Sequence, residues 1–208
     1  MGCSYKTAWF LLQRLRCAMV NEGRSPLAGR IEADEVIVGG PVQGKTGRGV
    51  TKAEHLTLVF GAVEVIAYEY KHGDNLEKAG RLRLAVAQRA DAVSIRSFLN
   101  SNILPGSVIN TDGWKGYSKT ALAGYCHELH DPETLALHIH RAFGNLKIWL
   151  NGTHHGVDPK YLQHYLDEFV FRFNRRNTPM AAFQTLLCLA SQRNHVPLKF
   201  MVQPESTG

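Results

Sequence analysis

Arg30-Ile31-Glu32-Ala33-Asp34-Glu35-Val36-Ile37-Val38 is a run in which three carboxylates sit among apolar and β-branched residues. Its period-two alternation predicts a strand from Ile31 to Val38, ended by Gly39-Gly40-Pro41. Successive side chains of a strand point to opposite faces, so Glu32 and Asp34 share one face and Glu35 takes the other. A carboxylate among apolar strand residues is costly to bury unless it is paired, hydrogen-bonded or bound to a cation. The plainer alternative is an acid at a solvent-facing edge.

Working outward, Leu56 to Ile66 reads as a second strand, hairpin-paired with the first, and Leu82 to Val86 as a third. Asp91 can cap a helix through Leu99, and Pro105-Gly106 turns into a fourth strand, Ser107 to Thr111. The order predicts an α/β fold whose mixed sheet has three antiparallel strands, then a helix and a parallel strand, flanked by helices. Tyr117 to Ala123 is expected to be helical, and Cys126 to Leu129 extended.

The C-terminal part reads as helical. One helix runs from Pro132 or Leu137 to Leu150, and Asp158-Pro159 opens another with a cap and a proline at its first position. Leu162, Tyr165, Leu166, Phe169 and Phe173 form an apolar stripe on the latter. At the other end, Ser4 caps a basic helix with Ala8, Leu11, Leu12, Leu15, Ala18 and Met19 on one face, stopping near Asn21-Glu22-Gly23. A linker begins at Ser25-Pro26. The expected organisation is a helix over residues 1–24, a central domain over 29–178, and a helix and tail over 179–208.

A length of 208 residues suits one sizeable core, and the 44% hydrophobic and 20% charged fractions are those of an ordinary globular chain. The formal charge of +6 and a pI near 9.2 favour polyanionic partners. No run of roughly 18 apolar residues is present, so no membrane partner is expected. The N-terminus lacks a signal-peptide pattern, and Cys3, Cys17, Cys126 and Cys188 form no C-x-x-C pair. A cytoplasmic protein with reduced thiols is expected.

The fourth strand ends in Asn110-Thr111-Asp112-Gly113. Asp112 by itself could belong to a plain turn. Asp34 and Asp112 together, at awkward places on separate strands, favour a site for a divalent cation, which takes carboxylate oxygens from protein and further oxygens from a phosphate. His140 and Lys147 lie two turns apart on one predicted helix and face the same way, a possible ligand and a phosphate-binding cation, although the region also holds His138, His154 and His155 and could be a polar surface.

Gly39-Gly40-Pro41-Val42-Gln43-Gly44-Lys45-Thr46 matches the letters of a phosphate-binding P-loop, but Gly47-Arg48-Gly49 follows where a helix must start. A basic loop that touches DNA phosphates through Lys45, Arg48 and Lys52 accounts for it better. Arg172, Arg175 and Arg176 form a second basic cluster, which could equally be a solvated helix end.

Ser4-Tyr5-Lys6-Thr7-Ala8-Trp9, Glu32-Ala33-Asp34-Glu35 with Val38-Gly39-Gly40, and Thr111-Asp112-Gly113-Trp114 follow one another with Asn145-Leu146-Lys147, Gly152-Thr153-His154-His155, and Tyr165-Leu166-Asp167-Glu168-Phe169 to Phe173-Asn174-Arg175-Arg176. In this order they resemble bacterial insertion-sequence transposases of the DDE type, over roughly residues 3–177. The resemblance implies a ribonuclease-H-like core at 29–178 that binds two Mg²⁺ or Mn²⁺ ions and cuts and rejoins DNA at transposon ends. It implies Asp34 and Asp112 as the first two acids, with His140 in place of the third, seven residues before Lys147. Asp34, Asp112 and His140 are then the metal ligands, and Glu133 is a possible substitute acid. Lys147 is the phosphate contact, with Lys45, Arg48, Lys52, Arg172, Arg175 and Arg176 holding DNA.

The family usually opens with a zinc ribbon and a helix-turn-helix. Here only the final helix, Ser4 to Val20, is recognisable, which implies an N-terminally truncated protein. A homo-oligomer on DNA, associated with the nucleoid, is expected. The alternatives are an inactive remnant that only binds DNA or full-length transposase and, least favoured, a P-loop nucleotide hydrolase.

Overall fold

A computed structural model describes residues 2–20, 23–39, 56–70, 75–129 and 137–192. The basic loop with Lys45, Arg48 and Lys52, and also Glu133, lie outside the described residues. The chain divides into two compact units: one spans Ser25–Val157, and the other combines the segment through Arg24 with the segment from Asp158 onward.

In the first unit, strands β1 (Arg30–Val38), β2 (Thr57–Glu69) and β3 (Asn75–Ala87) precede helix α2 (Ala92–Asn102), strands β4 (Val108–Thr111) and β5 (Cys126–Leu129), and helix α3 (Leu137–His154). The strands form one five-stranded sheet in the order β3-β2-β1-β4-β5. β1 pairs antiparallel with β2, β2 antiparallel with β3, and β1 and β5 each parallel with β4. This is the mixed sheet expected from the residue pattern, and it agrees with the ribonuclease-H-like core that the resemblance implies.

Each element follows from local chemistry. The β-branched and aromatic residues of Leu58-Val59-Phe60 and Val63-Glu64-Val65-Ile66 favour a pleated surface. Asp91 caps α2, its side chain accepting from Ser94 N at 2.8 Å. β3 starts seven residues earlier than the expected Leu82 and reaches Ala87. The charged residues Glu77, Lys78, Arg81 and Arg83 mask its period, yet Arg83 is buried, donating to the Leu82 and Ser25 carbonyls at 3.1 and 2.9 Å. Tyr117 to Ala123 forms turns rather than a helix. Tyr117, Ala121 and Leu122 instead plug the core, and Gly124 at φ +97° reverses the chain.

Two apolar layers flank the sheet. Ile31, Ala33, Phe60, Ala62 and Ile109 pack with Ile95, Phe98, Leu99 and Ile103 around α2. Ile139, Ala142, Phe143, Leu146 and Leu150 are the buried residues of α3, which lies against β1 and β2. Glu32 and Asp34, alternating with Ile31 and Ala33, therefore face α3.

The second unit holds α1 (Tyr5–Ala18), a 3₁₀ turn (Pro159–Tyr161), α4 (Leu162–Asn174) and α5 (Pro179–Gln192). Ser4 caps α1 through Thr7 N, and Asp158 caps the 3₁₀ turn rather than an α-helix. The expected apolar face of α1 is only partly the buried one: Ala18 is buried, but Leu11 and Leu12 are half exposed, while Gln13 and Arg16 are buried. Arg16 explains the rotation, because it lies over the Tyr165 ring at 4.0 Å and donates to Glu168 Oε2 at 2.8 Å. On α4, Leu162, Tyr165 and Leu166 are buried as expected, but Val170 and Phe171 complete the face instead of Phe169 and Phe173.

Candidate active site

The parallel β1–β4 ladder pairs Arg30 with Val108, Ile31 with Ile109 and Glu32 with Asn110. The ladder therefore runs toward Asp34 on β1 and toward Asp112 just past the end of β4, and neighbouring strands lie about 4.8 Å apart. β4 ends at Thr111, so Asp112 opens the loop that follows. Its Oδ1 accepts from Trp114 N at 2.9 Å, an Asx turn, and Gly113 at φ +80° supplies the left-handed residue.

Asp34 has only 13% of its side chain exposed. Its Oδ1 accepts from Glu35 N at 2.8 Å, and its Oδ2 lies 2.8 Å from His140 Nε2. Burial pushes its carboxyl above the ordinary Asp value; the Glu35 N–H and His140 act downward and the charge of Asp112 acts upward.

Glu35, on the opposite face of β1, accepts from the Tyr117 hydroxyl at 3.2 Å. Burial raises its carboxyl, with the Asp34 charge adding and the Tyr117 hydrogen bond opposing. Tyr117 is pushed well above the usual phenol value by burial and by these carboxylates, so it stays a donor. Because Tyr117 lies five residues after Asp112, this bond ties the Asp112 loop to β1.

His140 belongs to the first turn of α3. Two features bring that turn onto the sheet. Glu32 Oε2 accepts from His138 N and Ile139 N, both at 2.9 Å. Gly61, the β2 partner of Asp34, leaves room for α3: a Cβ there would lie 2.6 Å from the Phe143 ring. Lys147 is exposed on α3, about 10 Å along the helix axis from His140 and on the same side.

The structure thus brings Asp34, Asp112, His140 and Lys147 into one unit. Arg172, Arg175 and Arg176 belong to the other. There Arg172 reaches Glu168 Oε1 at 3.6 Å, Arg175 lies over Phe171 at 4.0 Å, and Arg176 lies over Phe173 at 4.3 Å and donates to its carbonyl. Among the described residues no three His, Cys, Asp or Glu side chains stand together as a ready metal-binding group. Glu32, Glu35, Tyr117 and Gly61 were given no role from sequence. The two acids were visible in the quoted run, but their hydrogen-bond partners lie 82 or more residues away.

The family model described as the ISXO2-like transposase domain matches residues 26–174. The chain belongs to this transposase family. In this ISXO2-like transposase the matched span takes in the five described strands and α2 to α4. Membership assigns the chain a transposase role, with DNA as its partner. No curated protein and no solved structure matches the chain. No described helix is long and apolar enough to cross a membrane.

Proposed function

We propose that this transposase cleaves DNA at insertion-sequence ends and transfers the strand by in-line attack on phosphodiesters, using Mg²⁺ or Mn²⁺. The observation that carries this reading is His140 Nε2 against Asp34 Oδ2 at 2.8 Å, with Asp112 at the end of the neighbouring parallel strand and its charge acting on the Asp34 carboxyl.

The donor chemistry fits such ions. Two carboxylates supply hard oxygens, and Mg²⁺ commonly takes only one or two carboxylates from protein. Asp34 and Asp112 would hold the ions, with His140 as a further ligand. When bound, two such ions activate the attacking water or 3′-hydroxyl and neutralise the leaving oxygen. The Glu35 N–H fixes the orientation of the Asp34 carboxylate, and the Asx turn fixes that of Asp112. Lys147 offers its ammonium to a phosphate oxygen near the scissile bond. Backbone contacts fall to Lys45, Arg48 and Lys52, and to Arg172, Arg175 and Arg176.

The test is cleavage of DNA carrying the element's own ends, with Mg²⁺ or Mn²⁺ supplied. Nicking that is lost in both Asp34→Ala and Asp112→Ala supports the proposal. Salt-sensitive DNA binding that ignores both substitutions, without nicking, would establish the inactive, DNA-binding remnant instead.

A further inference from the structure

Strand β1 carries three acids, and the outer two differ in their surroundings. Glu32 lies two residues before Asp34 on the same face and is 6% exposed. One oxygen of its carboxylate, Oε2, receives two backbone N–H groups, from His138 and Ile139, each at 2.9 Å. These donors belong to the first turn of α3, whose N–H groups have no partners within the helix itself. The next residue is His140, and its Nε2 meets Asp34 Oδ2. A carboxylate on the strand therefore holds the start of the helix, and the helix returns an imidazole to the strand one side-chain step further on.

We propose that Glu32 is a positioning residue: by holding the first turn of α3, its carboxylate sets the His140 imidazole against Asp34. The inference rests on the reading of Asp34 and His140 as parts of the cleavage site. Several physical points support it. A charged acceptor near the positive end of a helix is favourable, and here it is nearly dry, where such hydrogen bonds are strongest. The bond is also directional. Two adjacent N–H groups converging on one oxygen fix the rotation of the first turn about the helix axis, which an apolar contact would leave loose. Gly61 sets how closely α3 approaches the sheet, whereas Glu32 sets which way His140 points.

The experiment compares Glu32→Ala and Glu32→Gln in the full chain, each with and without His140→Ala. Three quantities are read: DNA nicking in Mn²⁺, hydrogen exchange at the His138 and Ile139 amides, and the imidazole ¹⁵N signals of His140. Glu32→Ala is expected to lower kcat about 10–100-fold, the usual size for an outer group orienting a ligand, with KM for DNA little changed. Glu32→Gln, which keeps an oxygen acceptor at the same point, should recover most of that loss. In the His140→Ala background Glu32→Ala should cost nothing further, because it acts through the missing imidazole. A merely structural contribution would add instead, and additivity would overturn the proposal.

So would unchanged His140 ring signals and unchanged exchange at His138 and Ile139 in Glu32→Ala. If the wild-type chain does not nick DNA, the cleavage reading fails by itself, while exchange and ring signals still decide the role of Glu32. Should Glu32→Ala fail to fold, Glu32→Asp replaces it: the charge is kept but withdrawn by one methylene, and the same loss through His140 is expected.

Discussion

His140 Nε2 lies 2.8 Å from Asp34 Oδ2, joining the first turn of α3 to the central strand of the sheet across 106 positions of sequence. The imidazole stands where the resemblance to DDE transposases expects a third acid. It faces a carboxylate whose burial already disfavours charge.

A substitution pair tests the His140 position. His140→Ala should lower end cleavage about 10–100-fold, as losing a ligand or an orienting partner does. His140→Glu places a second carboxylate beside Asp34, so the two repel until a cation joins them. Mn²⁺ binding by calorimetry should then be tighter than in the wild type. Weaker binding in the Glu variant would remove His140 from the set of ligands.

Asp34→Asn should abolish cleavage and yet raise thermal stability at neutral pH. The folded-state value of Asp34 lies above its unfolded one, because burial outweighs the Glu35 N–H and His140. Its favourable contribution is therefore fully present below the ordinary carboxylate range and is lost as pH rises through the raised folded value. The melting advantage of the Asn variant should shrink as pH falls into the carboxylate range. Melting curves of both proteins across that range check the sign.

Gly61→Ala should destabilise the first unit by about 1–3 kcal/mol, the usual cost of overpacking. The new Cβ would sit 2.6 Å from two atoms of the Phe143 ring and 2.9 Å from Ile139 Cδ1, so α3 must move off the sheet. Urea unfolding with an unchanged m-value measures the loss. Cleavage should fall in the folded variant, since the displaced helix carries His140.

A second ion pair supports the entrance to the same unit. Glu64 is buried and accepts from Ala28 N, Arg81 N and the Arg81 guanidinium, which also donates to the Ser25 and Pro26 carbonyls. Arg81→Ala should cost about 1.5–3 kcal/mol, the range for charged hydrogen bonds. This is less than for a fully buried pair, because 38% of the Arg81 side chain is exposed. A loss under 0.5 kcal/mol in urea unfolding would show that the pair does not hold the 25–28 segment.

Much of this molecule is decided by its local sequence. The alternation Ile31-Glu32-Ala33-Asp34 assigns β1 its two faces, because side-chain direction in a strand is set by parity alone. Asp91 and Ser4 declare their helix starts, since a cap is a local hydrogen bond. The order of the strands and of α2 and α3 was likewise legible, as were the strand that carries Asp34 and the helix that carries Lys147. What tertiary structure alone decided is which partner each polar group found. Glu32 on the α3 amides, Glu35 on Tyr117, and buried Arg16 on Glu168 and Tyr165 all join residues more than 80 positions apart. Neither periodicity nor propensity carries information at that range. The length of β3 was hidden for the same reason: Arg81 and Arg83 look solvent-facing until the 25–28 segment folds over them. His140 combines both cases, for its spacing from Lys147 is written in the chain, whereas its contact with Asp34 exists only because Glu32 and Gly61 let α3 settle on the sheet.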